Sequence, residues 1–330
     1  MREFGYQRVH DITGAVTLLA ADPDARYLGG GTNLVDLMKT GVERPALLVD
    51  VRELPLDRIE PTADGGLRIG ATVTNSDLAV HPEVRRHYPA LTQALLAGAS
   101  GQLRNMATVG GNLLQRTRCG YFTDLSQPCN KRSPGSGCPA VAGEHHNHAV
   151  LGASDHCVAV HPSDMGVALT ALDAVVSYES ADGPGEAPIT DFYLPVGDTP
   201  HRETALPPGA LITHVTLPAA PVAARSRYRK VRERASYAFA IGSVAAALAV
   251  EDGRVREARL ALGAVASRPW RARAAEAVLT GAPADGATFA AAADAELAAA
   301  RPLPHNGYKV TLMRNLVVSV LTELAGEDAR

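Results

Sequence analysis

Residues 28–34 read Leu-Gly-Gly-Gly-Thr-Asn-Leu and lie between a predicted strand, Arg26–Leu28, and a predicted helix that begins at Leu34 and stops at Gly41. Three consecutive glycines let this glycine loop approach a ligand closely and turn several N–H groups into one concavity. The helix start adds partial positive charge, which favours a phosphate or pyrophosphate. The loop lacks the lysine of a P-loop and the G-x-G-x-x-G spacing, and a tight turn is the alternative interpretation.

Two further segments combine a turn with a helix start. Thr72–Asp77 offers hydroxyls, an amide and a carboxylate, and Thr108–Asn112 places two glycines between hydrogen-bonding residues. Each segment alone is typical of a helix cap or a turn. Three such loops in one domain predict a long ligand that crosses several strand ends, as a dinucleotide would.

Composition excludes several classes of protein. The length of 330 residues suggests two domains. The 32 Lys and Arg residues do not outnumber the 35 Asp and Glu residues, so the composition shows no excess of positive charge that would favour nucleic-acid binding. The longest apolar stretch, Ala238–Val250, contains Gly and Ser and is too short to span a bilayer. The polar N-terminus has neither a signal-peptide core nor a twin-arginine pair, so we do not expect the chain to export itself.

Local patterns predict an α+β chain in two parts. We expect a first domain over residues 1–217 that contains a loop-rich insertion at 115–157, and a smaller second domain over 226–330. The segment Pro218–Arg225 separates them, and the Pro/Gly-rich segment Asp182–Pro188 is expected to form turns.

Three elements are marked by their own residues. An Ala/Leu-rich stretch before Pro23 predicts a helix over Ile12–Ala21. A strand is expected over Leu211–Leu217 and a last helix over Val310–Leu324.

The cysteines indicate a single site. All four lie within 39 residues, with spacing C-x9-C-x8-C-x18-C: Cys119, Cys129, Cys138 and Cys157. This spacing matches neither paired zinc knuckles nor the common ferredoxin run. Basic neighbours would offset thiolate charge: Arg116, Arg118, Lys131 and Arg132. The residues favour an iron–sulfur cluster and leave open four-cysteine zinc, two disulfides or free thiols.

The same region is rich in histidine: His145, His146, His148, His156 and His161. We expect a solvated polar loop, with a mixed Cys/His metal site as the alternative. The sequence shows no Ser/His/Asp or Cys/His arrangement that predicts nucleophilic catalysis. No catalytic residue is assigned to this chain, because its chemistry is expected to belong to cofactors.

Several segments resemble the FAD-binding subunits of molybdenum hydroxylases, the family of xanthine dehydrogenases, carbon monoxide dehydrogenase and aldehyde oxidoreductases. Tyr27–Asp36, Gly70–Leu78 and Thr108–Asn112 resemble its three FAD segments, and Tyr228–Val231 and Leu262–Arg271 resemble its C-terminal domain. The resemblance implies an FAD-binding domain of the PCMH (vanillyl-alcohol-oxidase-like) type. A smaller α+β domain of the CO-dehydrogenase-flavoprotein C-terminal type would follow.

The insertion is similar to that of the periplasmic aldehyde oxidoreductase type, on the evidence of Leu114–Cys119, Gln127–Arg132 and Pro134–Cys138. That type carries an extra [4Fe–4S] cluster, which implies that the four cysteines are its ligands. The resemblance also implies FAD contacts at the glycine loop and beyond: Tyr27, Leu28, Gly29, Gly30, Gly31, Thr32, Asn33, Leu34, Thr72, Thr108, Gly110, Gly111, Asn112, Asp164, Ile212 and Lys230.

The implied function is electron transfer within a molybdenum-dependent aldehyde oxidoreductase heterotrimer. A large molybdopterin subunit and a small [2Fe–2S] subunit are the expected partners, together with an external electron acceptor. The expected compartment is the periplasm, by export with a partner subunit, or the cytoplasm. A stand-alone flavin oxidase or reductase and a zinc-stabilised assembly module are the alternative functions.

Overall fold

The structure is a computed structural model that describes residues 1–328; Ala329 and Arg330, the end of the predicted second domain, lie outside the described residues. The strands are β1 Gly5–Arg8, β2 Ala25–Leu28, β3 Leu47–Asp50, β4 Ile59–Pro61, β5 Leu67–Gly70, β6 Val175–Ser180, β7 Gly183–Pro188, β8 Leu211–Leu217, β9 Ser226–Val231, β10 Gly242–Glu251, β11 Arg254–Gly263 and β12 Trp270–Arg271.

The helices are α1 Ile12–Ala21, α2 Leu34–Thr40, α3 Asn75–Val80, α4 Pro82–His87, α5 Pro89–Ala97, α6 Gly101–Arg104, α7 Val109–Leu113, α8 Gly120–Thr123, α9 Asp164–Ala171, α10 Ile189–Phe192, α11 Arg273–Leu279, α12 Gly286–Leu297 and α13 Tyr308–Asp328. Short 3-10 turns cover Pro139–Val141 and Pro221–Arg225. Within the described part of the chain, none of the helices has the length and apolarity needed to cross a membrane.

The first sheet is parallel, with strand order β1-β3-β2. Helix α1, confirmed over Ile12–Ala21, begins after Asp11, whose carboxylate accepts the Gly14 N–H at 2.6 Å. Ala15 on this helix and Val49 on β3 are fully buried in the core between them. The glycine loop therefore connects β2 to α2 at the carboxyl end of a parallel strand.

The second sheet has five antiparallel strands in the order β4-β5-β8-β6-β7. Strand β8 has the predicted bounds, Leu211–Leu217. The prediction of turns over Asp182–Pro188 is wrong, because Gly183–Pro188 pairs with β6 along its whole length. This strand lies at the edge of the sheet, where proline is tolerated because no further strand requires an N–H donor on the outer side.

The third sheet, β12-β11-β10-β9, belongs to the second domain and is covered on both faces. Strand β10 turns Val244, Ala246 and Leu248 toward α11–α13, and Ala245 toward the core that α5 and α9 share. Small residues on β10 allow this close double packing. The last helix is longer than the predicted Val310–Leu324, beginning at Tyr308 and ending at Asp328.

The insertion is loop-rich, as expected, and partly buried ion pairs fix it to the first domain. The Arg116 guanidinium contacts Glu43 at 2.7 Å and Glu203 at 2.9 Å, and lies over the Phe122 ring at 4.6 Å. Lys131 contacts the other Glu203 oxygen at 2.7 Å. Burial raises the pKa of Glu203, but the two cations outweigh that effect and hold it below its ordinary value.

The glycine loop packs directly on the backbone before α7. A Cβ added to Gly30 would lie 1.7 Å from the Met106 carbonyl oxygen, and one added to Gly29 would lie 2.7 Å from Thr108 Oγ1. Gly31 adopts φ +72°, which side chains disfavour. The tight-turn interpretation is therefore correct for all three glycines, and their loop contact also places two predicted ligand segments side by side.

Gly30→Ala tests this contact. The methyl group must push the two loops apart, and we expect a loss of about 1–3 kcal/mol in unfolding free energy together with weaker FAD retention. Thermal unfolding and the flavin-to-protein ratio after gel filtration measure both effects. Gly286→Ala is the control, because a Cβ there meets no atom within 4 Å. Unchanged stability and flavin content in Gly30→Ala would contradict the packing argument.

Candidate functional site

Two cavities meet at the glycine loop. The first, the glycine-loop cavity, holds about 290 Å³, and the second, the Lys230 cavity, holds about 450 Å³. Thr32, Asn33 and Gly111 line both, so they form one elongated space of a size that suits a cofactor.

The structure brings the predicted FAD residues together around this space. The glycine-loop cavity is lined by Tyr27, Gly29, Gly30, Gly31, Thr32, Asn33, Leu34, Thr72, Thr108, Gly110, Gly111 and Ile212. The Lys230 cavity adds Asn112, Asp164 and Lys230. Leu28 is the exception: it ends β2 and is not part of either lining. The assignment of these residues as FAD ligands stays a prediction.

Buried polar atoms in the lining fit a polar, elongated ligand. Asn33 Nδ2 and Thr72 Oγ1 in the glycine-loop cavity, and Asn75 Oδ1 in the Lys230 cavity, are buried without a hydrogen-bond partner. Leaving such groups unpaired is costly, so a ligand with donors and acceptors along its length would relieve them. FAD has this character, and the residues present therefore fit it.

Two threonines serve as helix caps. Thr74 Oγ1 accepts the Asp77 N–H at 3.1 Å at the start of α3, and Thr108 Oγ1 accepts the Gly111 N–H at 3.2 Å at the start of α7. The capping interpretation is correct for both hydroxyls. The hydroxyls of Thr74 and Thr108 therefore fix the loops of the ligand site. The Thr72 hydroxyl has no partner and remains available to a ligand.

Asp164 and Lys230 form a buried ion pair in the second cavity. Lys230 Nζ lies 2.8 Å from Asp164 Oδ2, and the Tyr228 hydroxyl donates to Oδ1. The period of two along β9 puts Tyr228 and Lys230 on one face, opposite the start of α9. Burial and the neighbouring carboxylate raise the pKa of Tyr228 well above its usual value, so the tyrosine keeps its proton and donates a hydrogen bond to Asp164.

The N-cap of α9 connects this pair to the third predicted segment. Ser163 Oγ accepts the Gly166 N–H at 2.8 Å and donates to Asn112 Oδ1 at 2.6 Å. Gln115 Nε2 donates to the same oxygen at 2.9 Å. The Asn112 amide is therefore held in one orientation beside the cavity.

Arg118 also lines the Lys230 cavity, although sequence reasoning assigned it only to the cysteine site. Its guanidinium lies over the Phe239 ring at 4.9 Å. Two further wall residues, Ala99 and Tyr237, have φ near +50°, which is uncommon outside glycine. The one sequence feature that pointed to Arg118 was its place directly before Cys119, and this feature indicated the cysteine site instead of the Lys230 cavity.

The four cysteines line one small cavity, the cysteine cavity. All four are free thiols. Burial raises the pKa of Cys119, while the N–H groups of Phe122 and Tyr121 act in the opposite direction. The Cys157 thiol donates to Cys138, which lowers the pKa of Cys138 and raises that of Cys157. Within residues 1–328 no group of three or more His, Cys, Asp or Glu is arranged to hold a metal ion.

The prediction of a solvated histidine loop is wrong for His145, which is 2% exposed. Its Nδ1 lies 3.1 Å from the Ala140 carbonyl, and its Nε2 accepts the His305 N–H at 3.1 Å. The His146 ring stacks on Tyr308 with centroids 4.5 Å apart. These rings dock the insertion on the second domain, because burying their apolar faces and satisfying their nitrogens both require that partner.

His161 is held in its neutral form beside the site. Its Nδ1 accepts the Ser163 N–H at 3.3 Å, and its ring packs on the Tyr193 ring edge, 4.6 Å between centroids. Burial lowers its pKa to about 4, with Glu203 opposing this shift and Lys131 adding to it. The neutral imidazole therefore belongs to the folded state.

Family models match both parts of the chain. The FAD binding domain in molybdopterin dehydrogenase matches residues 2–220, and the CO dehydrogenase flavoprotein C-terminal domain matches residues 226–324. The aldehyde oxidoreductase FAD-binding subunit PaoB of Escherichia coli is 53% identical over 98% of each chain. The 6-hydroxypseudooxynicotine dehydrogenase complex subunit alpha of Paenarthrobacter nicotinovorans is 26% identical over 97% of this chain and 94% of its own.

Solved structures have the same fold. Quinoline 2-oxidoreductase from Pseudomonas putida 86 aligns with a TM-score of 0.77 at 26% identity, over 99% of this chain and 98% of that one. The CO dehydrogenase from Oligotropha carboxidovorans aligns with a TM-score of 0.78 at 23% identity over 98% of each chain, which shows the fold alone.

Fold and cavities together define a two-domain FAD-binding flavoprotein. The chain belongs to the family of FAD-binding subunits of molybdenum hydroxylases and is an oxidoreductase subunit.

A double-mutant cycle tests the buried pair. Lys230→Met and Asp164→Asn each leave one buried group without its partner, and we expect each to cost about 3–5 kcal/mol of unfolding free energy. The double variant should cost clearly less than the sum. Urea unfolding measures all three. The exposed pair Arg68–Glu60, 2.8 Å apart, is the control and should cost below about 1 kcal/mol. Additive costs would contradict a coupled buried pair.

The neutral His161 ring predicts sensitivity to acid. An unfolded chain protonates this histidine near pH 6.5, whereas the folded chain resists protonation until about pH 4, so stability falls as pH drops through that window. His161→Gln removes this effect. Between pH 7 and pH 5 its unfolding free energy should fall by about 2 kcal/mol less than that of the parent. Urea unfolding at both pH values measures this difference. His10→Gln, whose parent side chain is 74% exposed, should keep the parent's pH dependence.

Proposed function

We propose that this chain is the FAD- and [4Fe–4S]-containing electron-transfer subunit of a molybdenum-dependent aldehyde oxidoreductase. A large molybdopterin subunit would oxidise the aldehyde, and a small [2Fe–2S] subunit would pass the electrons to this chain. An external acceptor would then receive them. The identity of 53% with an aldehyde oxidoreductase FAD-binding subunit over nearly the full chain supports this assignment.

The observation that carries the proposal is the direct succession of two lining residues. Arg118 lines the Lys230 cavity, and the next residue, Cys119, lines the cysteine cavity. A flavin in the first cavity and a cluster in the second would lie on either side of the Arg118–Cys119 segment of the wall. Such proximity is what an electron-transfer subunit needs and what a purely structural metal site does not.

The chemistry of the donor set supports a cluster. A [4Fe–4S] cluster takes one thiolate for each iron, so its four sulfurs surround a volume instead of converging on a single ion. The four cysteines that line one cavity supply the number of thiolates that such a cluster needs. Backbone N–H groups of Tyr121 and Phe122 face the Cys119 sulfur, and that of Ala159 faces Cys157. Hydrogen bonds of this kind stabilise ligated sulfur.

When bound, FAD supplies conversion between one-electron and two-electron transfer. The chain's own residues hold it and set its surroundings. The Asp164–Lys230 pair fixes a positive and a negative charge in the cavity wall, and Ser163 and Gln115 orient the Asn112 amide. Glu203 binds Arg116 and Lys131 on either side of the first cysteines, which keeps the insertion against the glycine-loop cavity.

For the compartment we propose the periplasm, reached by export with a partner subunit, with the cytoplasm as the alternative. Cell fractionation of the native host would decide between them.

Cofactor analysis of the full chain, purified without oxygen, tests the proposal. We expect one FAD, four irons and four acid-labile sulfides per chain. Cys129→Ser should lose most of the iron and the visible cluster absorbance, because one of four ligands is removed. FAD should remain, since Cys129 is outside both flavin cavities.

Ser126→Ala, an exposed change in the same insertion, is the control and should keep full iron content. Flavin together with zinc and no labile sulfide would overturn the cluster and leave the flavoprotein. A colourless chain that does not take up FAD would overturn the proposed function altogether. Turnover of an aldehyde by the chain on its own would favour a stand-alone flavin enzyme.

A further inference from the structure

The imidazole of His148 lies against one sulfur of the cysteine cavity. Its Nε2 is 3.2 Å from Cys119 Sγ, and its Nδ1 is buried without a hydrogen-bond partner. Its ring also faces the Tyr121 ring, tilted by 55° with centroids 6.5 Å apart. One nitrogen of the ring is therefore engaged with a sulfur, and the other is engaged with nothing.

The second domain fixes the backbone that carries this ring. Lys309 has no exposed surface, and its Nζ donates to the carbonyl oxygens of Asn147 and His148 at 3.1 Å and of Ala264 at 2.5 Å. Asn306 Nδ2 donates to the His148 carbonyl at 3.3 Å and to the Ala149 carbonyl at 3.1 Å. The contact with Cys119 is thus built by several interactions and does not depend on one surface rotamer.

The direction of the hydrogen bond follows from the chemistry of a ligated sulfur. An iron-bound thiolate has no proton and can only accept, so the contact requires the proton on Nε2. Nδ1 has no acceptor that would compete for this proton. The bond is charge-assisted, because the acceptor carries negative charge.

We propose that His148 is a positioning residue that donates its Nε2–H to the Cys119 thiolate and thereby raises the reduction potential of the [4Fe–4S] cluster. The inference rests on the proposed function, since it needs the cluster. Reduction by one electron adds negative charge that spreads onto the ligand sulfurs. A donor at a sulfur therefore stabilises the reduced cluster more than the oxidised one.

The position of His148 relates it to electron transfer between the flavin and the cluster. Cys119 follows Arg118, which lines the Lys230 cavity, so His148 acts on the ligand next to the flavin site. A higher cluster potential makes the cluster a better electron acceptor toward the flavin. Because Lys309 holds the His148 backbone, that potential depends on correct docking of the second domain.

Redox titration of the full chain, purified without oxygen with its cofactors, tests the proposal. Dithionite is the reductant, and the electron paramagnetic resonance signal of the reduced cluster is the readout. In His148→Leu the midpoint should move to lower potential. At the parent's midpoint, the ratio of reduced to oxidised cluster should fall about three- to tenfold, the effect of one lost hydrogen bond.

Two variants separate a hydrogen bond from a structural role. His148→Gln places an amide N–H near the former Nε2 and should restore most of the potential. Ser126→Ala changes an exposed residue of the same insertion that does not contact the second domain, and should leave the midpoint unchanged. Equal midpoints for parent and His148→Leu, with four irons retained, would overturn the inference and leave the proposed function standing. Absence of iron and sulfide from the parent would overturn the proposed function itself.

A measurement on the parent chain covers the case in which His148→Leu does not hold the cluster. Electron–nuclear double resonance of the reduced cluster, with 15N-histidine and solvent exchange to D2O, should show one histidine nitrogen and one exchangeable proton coupled to the cluster. His156 also lines the cysteine cavity and is a second possible source of a histidine nitrogen signal. The couplings should therefore persist in His156→Gln, which assigns them to His148. A spectrum without histidine nitrogen coupling would overturn the inference.

Discussion

The close approach of Gly30 to the Met106 carbonyl is the constraint on which the ligand-binding part of the molecule depends. A Cβ would lie 1.7 Å from that oxygen, so the contact exists only because the residue is glycine. Through it, the loop that leaves the parallel sheet rests on the loop that enters α7. The two cavities share Thr32, Asn33 and Gly111 because of this contact. One steric condition therefore decides whether two separate turns become one elongated site.

The insertion depends on contacts with both domains. Arg116 and Lys131 tie the insertion to Glu43 and Glu203 of the first domain through partly buried ion pairs. Such pairs add little stability, but their geometry is specific. On the other side, Lys309 of the second domain donates hydrogen bonds to two backbone carbonyls of the insertion, those of Asn147 and His148. A loop-rich segment with little core of its own gains a defined shape from these contacts, and the cysteines within it gain defined positions.

Local residue patterns predicted the elements whose signal is contained in a short window, such as α1 and β8, and the glycine loop with its helix stop at Gly41. Edge strand β7 was missed, because its Gly and Pro residues disfavour a strand and only pairing with β6 makes it one. Asp164 and Lys230 stand 66 residues apart, and only a family resemblance, not their spacing, marked them. His145 was assigned to solvent because its partner, His305, is 160 residues away. Contacts across such distances have no local pattern.

The arrangement of charge explains why the flavin side and the cysteine side differ in character. The Lys230 cavity has the ion pair of Lys230 and Asp164, whose two charges offset each other within the wall. The cysteine cavity has four thiols; the charge of Lys131 acts on Cys157, and the imidazole of His148 contacts Cys119. Negative charge on that side would therefore be offset by hydrogen bonds and by Lys131, an ammonium group that it shares with Glu203. Arg118 and Cys119 stand where these two environments meet, which makes the wall between the cavities the place where the chain's own residues act on both.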